Sequence, residues 1–306
     1  MSPEPVRRAL VTGATGFVGS HLTRRLLQDG WQVSVVVRPQ SSLAALDDCL
    51  PRLAVLRHDG TTQGLMALLQ QAQADVVFHL AALFVAEHTP ADIVPLIAGN
   101  ILFSTQLAEA MAAGGCSCLV NTGSSWQYDD AGYAPVNLYA ATKQAGVDIL
   151  AYYGSALGLR VTTLTLFDTY GPNDPRRKLF TLLLQALREG TPLSLSPGQQ
   201  LIDLVYIDDV VDAYVRCAEL LPQQRAWHEQ YGVSSGTPRS LREIVDIMAG
   251  VAGTAIPVRW GERAYRRREV MLPWSKCVAP PGWRARISLP EGIARIMKEP
   301  WPSPSP

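Results

Sequence analysis

A phenol and an ammonium group lie one helical turn apart in the segment Tyr139-Ala-Ala-Thr-Lys143. Residues spaced four apart share one face of a helix. A free phenol titrates near pH ~10 and a neighbouring cation favours its ionised form, so we expect Lys143 to lower the pKa of Tyr139. Upstream, Ser124 follows an apolar run and is placed to donate a hydrogen bond to a carbonyl oxygen. These three residues predict proton transfer to or from an oxygen atom of a bound substrate.

A glycine-rich turn separates the first apolar run from the first helical pattern. Glycine permits a tight turn and a close approach of the backbone to a pyrophosphate, and the start of the following helix offers N–H groups to that anion. The spacing is Gly-x-x-Gly-x-x-Gly rather than Gly-x-Gly-x-x-Gly, but a β-rich run precedes it and a helical pattern follows it. We therefore predict a dinucleotide site at Gly13, Thr15, Gly16, Phe17, Val18 and Gly19.

The residue at the end of the second β-rich run indicates which dinucleotide binds. A carboxylate at this position hydrogen-bonds the ribose 2′-hydroxyl of NAD. This chain has Arg38 there, with Ser41 close behind it. A guanidinium beside hydroxyl groups suits a 2′-phosphate, so we predict NADP (NADPH), with NAD the less favoured cofactor.

Short β-rich runs alternate with helical patterns through the first half of the chain. The predicted strands are 9–12, 33–37, 53–56, 75–80, 118–122 and 160–167, and the predicted helices are 17–29, 65–72, 94–113 and 138–157. This alternation is typical of an α/β fold with a doubly wound parallel (Rossmann) sheet. Ser124 then lies at the carboxyl end of a strand, where open α/β sheets bind ligands.

The regular alternation of strand and helix patterns ends after Tyr170-Gly171-Pro172, where proline and arginine become more frequent. Helical patterns at 180–189, 208–220 and 240–251 alternate with short strands there. We predict a dinucleotide-binding domain over 1–170 and a smaller, mainly substrate-binding C-terminal lobe over 171–299, some of whose strands and helices return to the first domain. The proline-rich end, 300–306, is predicted to be a flexible tail.

Composition excludes several classes of protein. Of the 306 residues 47% are hydrophobic and 18% charged, and 27 basic residues balance 27 acidic ones, so the chain is not wholly disordered and no net charge attracts nucleic acid or an anionic membrane. No uninterrupted apolar run reaches the ~18 residues of a membrane span, and the start does not read as an export signal. Histidines and cysteines lack metal-ligand spacing. We predict a cytoplasmic protein without nucleic-acid or membrane partners and without a metal site.

Taken in their order along the chain, the motifs resemble those of the extended short-chain dehydrogenase/reductases. The resemblance covers nearly the whole chain and rests on the glycine turn, the strand end His79-Leu-Ala-Ala82, Asn100, Ser124, the Tyr139/Lys143 pair, Tyr170-Gly171-Pro172 and Tyr206-Ile-Asp208-Asp209-Val210. It implies a nicotinamide cofactor and substrates that are largely nucleotide sugars. It also implies a homodimer formed through two helices of each subunit, one of them carrying Tyr139.

The resemblance assigns roles to residues that spacing alone leaves open. It implies that Asp59 lies near the adenine and that Asn100 supports the active-site helix; without it, Asp59 reads equally as a turn former and Asn100 as an internal hydrogen-bonding residue. Lys143 would also donate to the nicotinamide ribose. The expected cofactor contacts are completed by Gly60, Leu80, Ala81, Ala82, Asn100, Thr122, Tyr139 and Phe167.

The two residues that follow Ser124 indicate which type of reaction to expect. Sugar dehydratases of this family have Asp-Glu there, whereas this chain has Ser125 and Trp126, neither of which shuttles protons at neutral pH. Epimerases return the hydride to their substrate and usually keep NAD bound, so a preference for NADP favours net reduction. Segments 167–179 and 200–210 are similar to those of nucleotide-sugar 4-ketoreductases of the CDP-abequose synthase type. We predict NADPH-dependent reduction of the 4-keto group of a CDP- or dTDP-linked 4-keto-deoxyhexose.

Two positions of the second lobe depart from the family pattern. Asp168 replaces an Asn before Tyr-Gly-Pro, and Ile202 replaces an Arg of the usual diphosphate clamp. Arg176, Arg177 or Arg266 would take over that contact, because a guanidinium fork matches phosphate oxygens. The run 176–178 also reads as a solvated cationic patch. The predicted substrate contacts are Phe84, Ser124, Ser125, Trp126, Asp168, Arg176, Arg177, Lys178 and Arg266.

Two other functions fit the same residues. A nucleotide-sugar 4-epimerase would hold NAD tightly and consume none of it. A non-enzymatic NADP(H) sensor would bind the cofactor and a protein partner, although such proteins typically lack the Tyr139/Lys143 pair.

Overall fold

The computed structural model describes residues 6–298, so the predicted tail at 300–306 lies outside the described residues. The strands are β1 (Arg8–Thr12), β2 (Gln32–Val37), β3 (Leu53–Arg57), β4 (Val76–His79), β5 (Cys118–Ser124), β6 (Tyr128–Asp129), β7 (Gly132–Tyr133), β8 (Arg160–Leu166), β9 (Asp168–Tyr170), β10 (Leu193–Leu195), β11 (Leu201–Ile202), β12 (Leu204–Tyr206), β13 (His228–Val233), β14 (Arg239–Ser240) and β15 (Val258–Trp260). The helices are α1 (Phe17–Gln28), α2 (Thr62–Ala72), α3 (Ile93–Ile97), α4 (Phe103–Gly114), α5 (Leu138–Leu157), α6 (Leu179–Glu189), α7 (Ile207–Leu220), α8 (Leu241–Ala252) and α9 (Leu289–Lys298).

Seven strands form one sheet in the order β13-β8-β5-β4-β1-β2-β3, and every neighbouring pair is parallel. Strand β1 pairs with β2 on one side and with β4 on the other, so the chain changes its direction of travel across the sheet at β1. The carboxyl ends of the strands meet at one edge, and the crevice at such a reversal is where open sheets bind ligands. The predicted α/β fold with a doubly wound parallel sheet is confirmed.

Both faces of the sheet are buried, each in its own hydrophobic cluster. Val11 and Val35 pack with side chains of α1 and α7 on one face, and Leu10 and Val36 pack with side chains of α2, α4 and α5 on the other. Adjacent residues of a strand point to opposite faces. Burial of both faces therefore explains why β1 and β2 read as continuous apolar runs rather than alternating ones.

The chain after residue 170 contributes to both parts of the molecule. Helix α7 packs against α1, and β13 adds a seventh strand to the central sheet beside β8. The sequence patterns predict neither β13 nor α9. Small two-stranded sheets, β9 with β12, β10 with β15 and β11 with β14, lie outside the central sheet.

The helical segment 93–114, expected as one α-helix over 94–113, is interrupted by a π-helical turn, Ala98–Leu102, between α3 and α4. Leu107, Ala108 and Met111 of α4 are buried against the sheet. The other face exposes apolar side chains, including Val94 (75% exposed). Within residues 6–298, Pro90–Gly114 is the one span whose length and mean hydropathy, 1.3, would suit a membrane. Its packing on the sheet instead makes it one of the layers of this fold.

Candidate active site

A cleft with a cavity volume of about 150 Å³, open to solvent, lies at the carboxyl ends of β5 and β8. Its lining comes from both parts of the chain: Val18, Phe84, Thr122, Gly123, Ser124, Ser125, Trp126, Tyr139, Leu166, Phe167, Asp168, Thr169, Arg176 and Lys178. All of these except Gly123, Leu166 and Thr169 are predicted site residues. Of the predicted catalytic and substrate residues, Lys143, Arg177 and Arg266 are not part of this lining.

Helix α5 presents Tyr139 to the cleft from its first turn. The helix begins at Leu138 because the Asn137 side chain caps it, accepting a hydrogen bond from the Ala140 amide at 2.9 Å. Lys143 follows one turn later and is buried, with only 5% of its surface exposed. The phenol and the ammonium group therefore belong to one buried stretch of α5.

Burial shifts the pKa values of this pair in opposite directions. It raises the pKa of Tyr139 to about 12 and lowers the pKa of Lys143 to about 8, because each group loses the solvation of its charged form. The expectation that Lys143 lowers the pKa of Tyr139 is therefore wrong for the free chain. As the pH rises, Lys143 loses its charge before Tyr139 ionises, and the cation that lowers the pKa of Tyr139 is Arg176.

Ser124 ends β5 and faces the same cleft. Its amide donates to Gln127 Oε1 at 2.8 Å, and its hydroxyl oxygen accepts from the Trp126 amide at 3.3 Å. Gln127 is fully buried, so this short turn is anchored from inside. Because the Ser124 hydroxyl acts as an acceptor in this turn, its hydrogen remains available to donate to a substrate oxygen.

The glycine turn is shaped by close approaches within the protein and leaves a helix end open. Gly13 has φ +73°, and a Cβ there would lie 2.6 Å from the Ala81 amide nitrogen. A Cβ at Gly19 would lie 2.1 Å from the Gly13 carbonyl oxygen. Gly16 is exposed at the N-terminus of α1, where no side chain caps the helix. The first amides of α1, flanked by the partly exposed Thr15 and Val18, fit a pyrophosphate.

Arg38 is exposed directly after β2, at the edge where the glycine turn lies. The neighbouring strand end supplies a second cation that the sequence patterns did not indicate. Arg57, the last residue of β3, pairs with Val37, and its guanidinium donates to the Pro39 carbonyl at 2.7 Å. Ser41 is partly exposed in the turn that follows Arg38. The signal that could have identified Arg57 is that two neighbouring parallel strands end at an arginine: Arg38 follows β2 directly, and Arg57 is the last residue of β3.

Asp59 serves as a turn former at the start of α2. One carboxylate oxygen accepts from both the amide and the hydroxyl of Thr61, each at 2.8 Å, and these hydrogen bonds lower the pKa of the carboxyl group. Gly60 follows with φ +93°. Asp59 therefore forms the turn, which is the role that its local sequence suggested. Its other carboxylate oxygen is the one left for a contact with adenine.

Asn100 lies in the π turn and connects two walls of the site. It accepts from the Leu83 amide at 2.7 Å and donates to the Leu83 carbonyl at 3.0 Å and to Thr142 Oγ1 at 2.9 Å. Only 2% of its surface is exposed. Asn100 therefore fixes the loop after β4 against α5, next to Lys143, and its own polar atoms are engaged within the protein.

His79, a buried residue at the end of β4, gives further support to these walls of the site. His79 bonds Thr12 Oγ1 at 2.8 Å and Ser104 Oγ at 2.9 Å, and burial lowers its pKa to about 3, so the ring is neutral. Thr122 Oγ1 donates to the His79 carbonyl at 2.7 Å and bonds the Tyr214 hydroxyl at 2.6 Å. Leu80 and Ala81 are half-buried and Ala82 is exposed as the chain leaves β4 beside the glycine turn.

Aromatic rings and cations line the side of the cleft away from the sheet. The Phe84 ring lies 5.0 Å from Tyr139 and 5.5 Å from Trp126, centroid to centroid. Lys178 Nζ lies 5.3 Å above the Phe84 ring and 3.6 Å from the Asp168 carboxylate. Arg266, outside the lining, has its Cζ 5.8 Å from the Trp126 ring.

The remaining predicted residues occupy less exposed or more peripheral positions. Phe167 is buried, and its ring stacks on Trp274 at 6.5 Å. Ser125 begins the turn after β5. Arg177 is exposed. Ile202 lies in β11 opposite Arg239 of β14. No group of three or more His, Cys, Asp or Glu in residues 6–298 is arranged to hold a metal ion.

Comparisons with known proteins agree with this geometry. The sequence model of the NAD dependent epimerase/dehydratase family matches residues 9–228. The chain is 29% identical over 314 residues to UDP-glucose 4-epimerase of Mycolicibacterium smegmatis, covering 95% of this chain and 97% of that one. It is 28% identical over 268 residues to CDP-abequose synthase of Yersinia pseudotuberculosis, covering 87% and 91%. The solved structure of MoeE5 in complex with UDP-glucose and NAD is similar with a TM-score of 0.80 and 28% identity, covering 95% and 97%.

The family match extends over most of the chain and includes the glycine turn, Ser124, Tyr139 and Lys143. The resemblance to the extended short-chain dehydrogenase/reductases is thereby confirmed. This chain belongs to the NAD dependent epimerase/dehydratase family.

Proposed function

We propose that the protein is an NADPH-dependent reductase of the 4-keto group of a nucleotide-diphospho-4-keto-deoxyhexose, CDP- or dTDP-linked. The observation that carries this proposal is that Ser124 and Tyr139 face one cleft in which Ser125 and Trp126 stand where dehydratases have acids. The similarity to CDP-abequose synthases and to UDP-sugar 4-epimerases supports a nucleotide sugar as the substrate class.

The proposed chemistry is a proton transfer coupled to hydride delivery. A reduced nicotinamide cofactor held at the glycine turn would supply the hydride for the keto carbon of the sugar. Ser124 donates a hydrogen bond to the keto oxygen, and Tyr139 gives that oxygen its proton. The raised pKa of Tyr139 keeps the phenol protonated at neutral pH, which suits a proton donor better than a base. Lys143 is proposed to hydrogen-bond the nicotinamide ribose.

The proposed cofactor site is the glycine turn together with the two cationic strand ends. The open N-terminus of α1 would hold the pyrophosphate, since Gly16 leaves its backbone accessible. Arg38, Ser41 and Arg57 would surround a 2′-phosphate, and this supports NADP over NAD. MoeE5 carries NAD, so the preference requires a direct binding measurement.

The proposed sugar site lies between the aromatic wall and the sheet edge. Phe84 and Trp126 would cover the sugar ring, while Lys178 and Arg266, which lie over these two rings, would meet the diphosphate. Both cations are on the second lobe, as expected for residues that bind the part of the substrate away from the nicotinamide.

A nucleotide-sugar 4-epimerase with tightly bound NAD is the alternative. It is favoured by the match to UDP-glucose 4-epimerase and by the NAD in MoeE5. An epimerase must also take a proton from a sugar hydroxyl, for which Tyr139 would have to ionise.

We further propose that the protein acts in the cytoplasm as a homodimer. Exposed apolar side chains on neighbouring helices, Val94 and Leu102 on segment 93–114 and Tyr152 on α5, form a face that a second copy would cover.

The decisive experiment mixes the purified protein with NADPH and a CDP- or dTDP-linked 4-keto-6-deoxyhexose. The loss of NADPH absorbance and the formation of a 4-hydroxy sugar are followed together. We expect one NADPH consumed per sugar. UDP-glucose without added cofactor is tested in parallel, and the purified protein is assayed for bound NAD.

The possible results of this experiment distinguish the three candidate functions, which are reductase, epimerase and sensor. Consumption of NADPH supports the reductase. Interconversion of UDP-glucose and UDP-galactose with no net cofactor use, by protein that carries NAD, would replace it with the epimerase. Tight NADP(H) binding without turnover on any of these sugars would favour a sensor.

A further inference from the structure

Arg176 was expected to contact a diphosphate, but two of its three guanidinium nitrogens, Nε and Nη2, are already engaged by neighbouring residues of the protein. Its Nε donates to Asp174 Oδ1 at 2.7 Å and its Nη2 to Asp174 Oδ2 at 2.7 Å, a bidentate ion pair. Nη2 also reaches the Thr169 carbonyl at 3.1 Å. Only 9% of the Asp174 side chain is exposed, so the pair is anchored rather than free in solvent.

This ion pair holds a positive charge at a fixed place in the cleft. The Arg176 Cζ lies 4.5 Å above the ring of Phe17, the first residue of α1. Arg176 also lines the cleft that contains Tyr139, whereas Asp174 does not. The cation and the reacting phenol therefore line the same cleft, and the counter-ion Asp174 lies outside that lining.

The neighbouring cations are placed differently. Lys143, on the same helix as Tyr139, loses its proton near pH 8. Lys178 is paired with Asp168 at 3.6 Å, and both residues line the cleft, so this cation and its counter-charge face the same space. Arg176 is the cation of the cleft lining whose counter-ion lies outside that lining.

We propose that Arg176, fixed by Asp174, is a positioning residue that stabilises the phenolate of Tyr139 electrostatically and does not bind the substrate diphosphate. The proposal rests on the proposed function in one respect, the role of Tyr139 as proton donor. When Tyr139 gives up its proton, negative charge appears on the phenol oxygen, and a fixed cation nearby lowers the free energy of that state. The structure supports this through the effect of Arg176 on the pKa of Tyr139.

Several titratable groups other than Arg176 surround Tyr139 and enter the interpretation of any pH profile. They are Lys143 on α5, Asp168 and Lys178 at the mouth of the cleft, Arg266 over Trp126, and Tyr214 on α7, whose buried hydroxyl bonds Thr122. A measurement that reports on Tyr139 itself is therefore needed.

The test is the titration of Tyr139 in the full-length protein labelled with 3-fluorotyrosine. Fluorine lowers the pKa of a phenol, which brings the titration to a milder pH, and loss of one resonance in Tyr139→Phe identifies the signal. In Arg176→Met we expect the pKa of Tyr139 to rise by about one unit, the size of a single charge in a partly buried site. Arg176→Lys should restore most of it, and Arg177→Met, which removes an exposed charge one residue away, should leave it unchanged.

Removal of Arg176 also leaves the Asp174 carboxylate without its partner, which could impair folding. The double variant Asp174→Asn/Arg176→Gln replaces the ion pair with neutral groups of similar shape. We expect the same direction of shift in this variant, because Arg176 lines the cleft together with Tyr139 and Asp174 does not. The variants are compared by near-ultraviolet circular dichroism before titration.

Kinetics and nucleotide binding distinguish this role from a diphosphate contact. In Arg176→Met we expect kcat for ketosugar reduction to fall about five- to tenfold, with the KM for the nucleotide sugar and the Kd for CDP within about twofold. An unchanged Tyr139 titration in folded Arg176→Met, or a tenfold or greater loss of CDP affinity, would overturn the proposal. If the protein reduces no ketosugar, the titration still tests the electrostatic role, so the two proposals fail separately.

Discussion

The two halves of the cleft are built by different means. The sheet-edge half is held by buried, direct hydrogen bonds, such as those of Asn100 to Leu83 and Thr142 and those of His79 to Thr12 and Ser104. The second-lobe half, with Arg176, Lys178 and Arg266, approaches the cleft through ion pairs and contacts between cations and rings, and within it Arg176 is the cation that is anchored, by the nearly buried Asp174.

This difference separates chemistry from recognition. A buried polar network has few alternative arrangements, because each unsatisfied group would cost about 1–3 kcal/mol. Half-exposed cations can move at little cost, since ion pairs in solvent are worth about 0–1 kcal/mol. We infer that the rigid half fixes the reacting atoms and the adjustable half accommodates the nucleotide sugar.

The largest effect is expected from breaking the rigid half at Asn100. Asn100→Ala leaves the Leu83 amide and carbonyl and the Thr142 hydroxyl without their partner, and we expect the free energy of unfolding to fall by about 3 kcal/mol. Urea denaturation measures it. Gln106→Ala on α4, which removes one bond to the Gly60 carbonyl in a more exposed place, is the matched control and should cost less than about 1 kcal/mol. Equal losses of unfolding free energy in Asn100→Ala and Gln106→Ala would contradict the difference between buried and more exposed hydrogen bonds.

The second-largest effect is expected on the pH dependence of stability, which the buried Lys143 causes in the rigid half of the cleft. Its folded pKa of about 8 lies below the unfolded value of 10.5, so between these values the unfolded chain binds more protons and stability rises with pH. From pH 8 to pH 9.5 we expect this group to add on the order of 2 kcal/mol. Lys143→Met should lack that rise.

The measurement is urea denaturation of both proteins at several pH values, taken as a difference so that groups common to both cancel. Parallel pH profiles for the wild-type protein and Lys143→Met would show that Lys143 titrates normally and is not buried as described.

A smaller effect is expected at the cofactor rim, where exposed cations act on an exposed ligand group. Arg38→Gln should weaken NADPH binding about tenfold and leave NADH binding nearly unchanged, because only NADPH has a 2′-phosphate. Fluorescence titration of the reduced cofactors measures both constants. Tighter binding of NADH than NADPH by the wild-type protein would contradict the proposed preference and favour the epimerase.

The smallest effect is expected in the adjustable half. Lys178→Met should raise the KM for the nucleotide sugar about three- to fivefold with little change in kcat, because the proposed contact of Lys178 is with the diphosphate, which does not react. Arg225→Met, at an exposed residue outside the cleft lining, is the control and should leave both constants unchanged. A loss of kcat greater than that of KM in Lys178→Met would place Lys178 with the chemistry instead.

The sequence predicted the rigid half far better than the adjustable half. Ser124, Tyr139, Lys143 and the glycine turn are found from local spacing, because each depends on a short strand–turn–helix unit. The partners of Arg176 could not be found in this way. Its ion pair with Asp174, two residues away, depends on the conformation of the loop, and its position above Phe17 depends on how two distant segments pack; charge spacing encodes neither.

Other features were missed for similar physical reasons. Strand β13 joins the central sheet only through its pairing with β8, more than sixty residues earlier in the chain. The π turn around Asn100 keeps a helical hydrophobic pattern, so periodicity does not distinguish it from an α-helix. The opposite pKa shifts of Tyr139 and Lys143 follow from burial, and spacing reported only their proximity.

The most direct test of the account compares the wild-type protein with Tyr139→Phe in the reduction of a CDP- or dTDP-linked 4-keto-6-deoxyhexose by NADPH. Removing the phenol hydroxyl while keeping its ring should lower kcat by about 10²–10⁴-fold and leave the Kd for NADPH unchanged. A Tyr139→Phe protein that reduces the ketosugar at the wild-type rate would contradict the account.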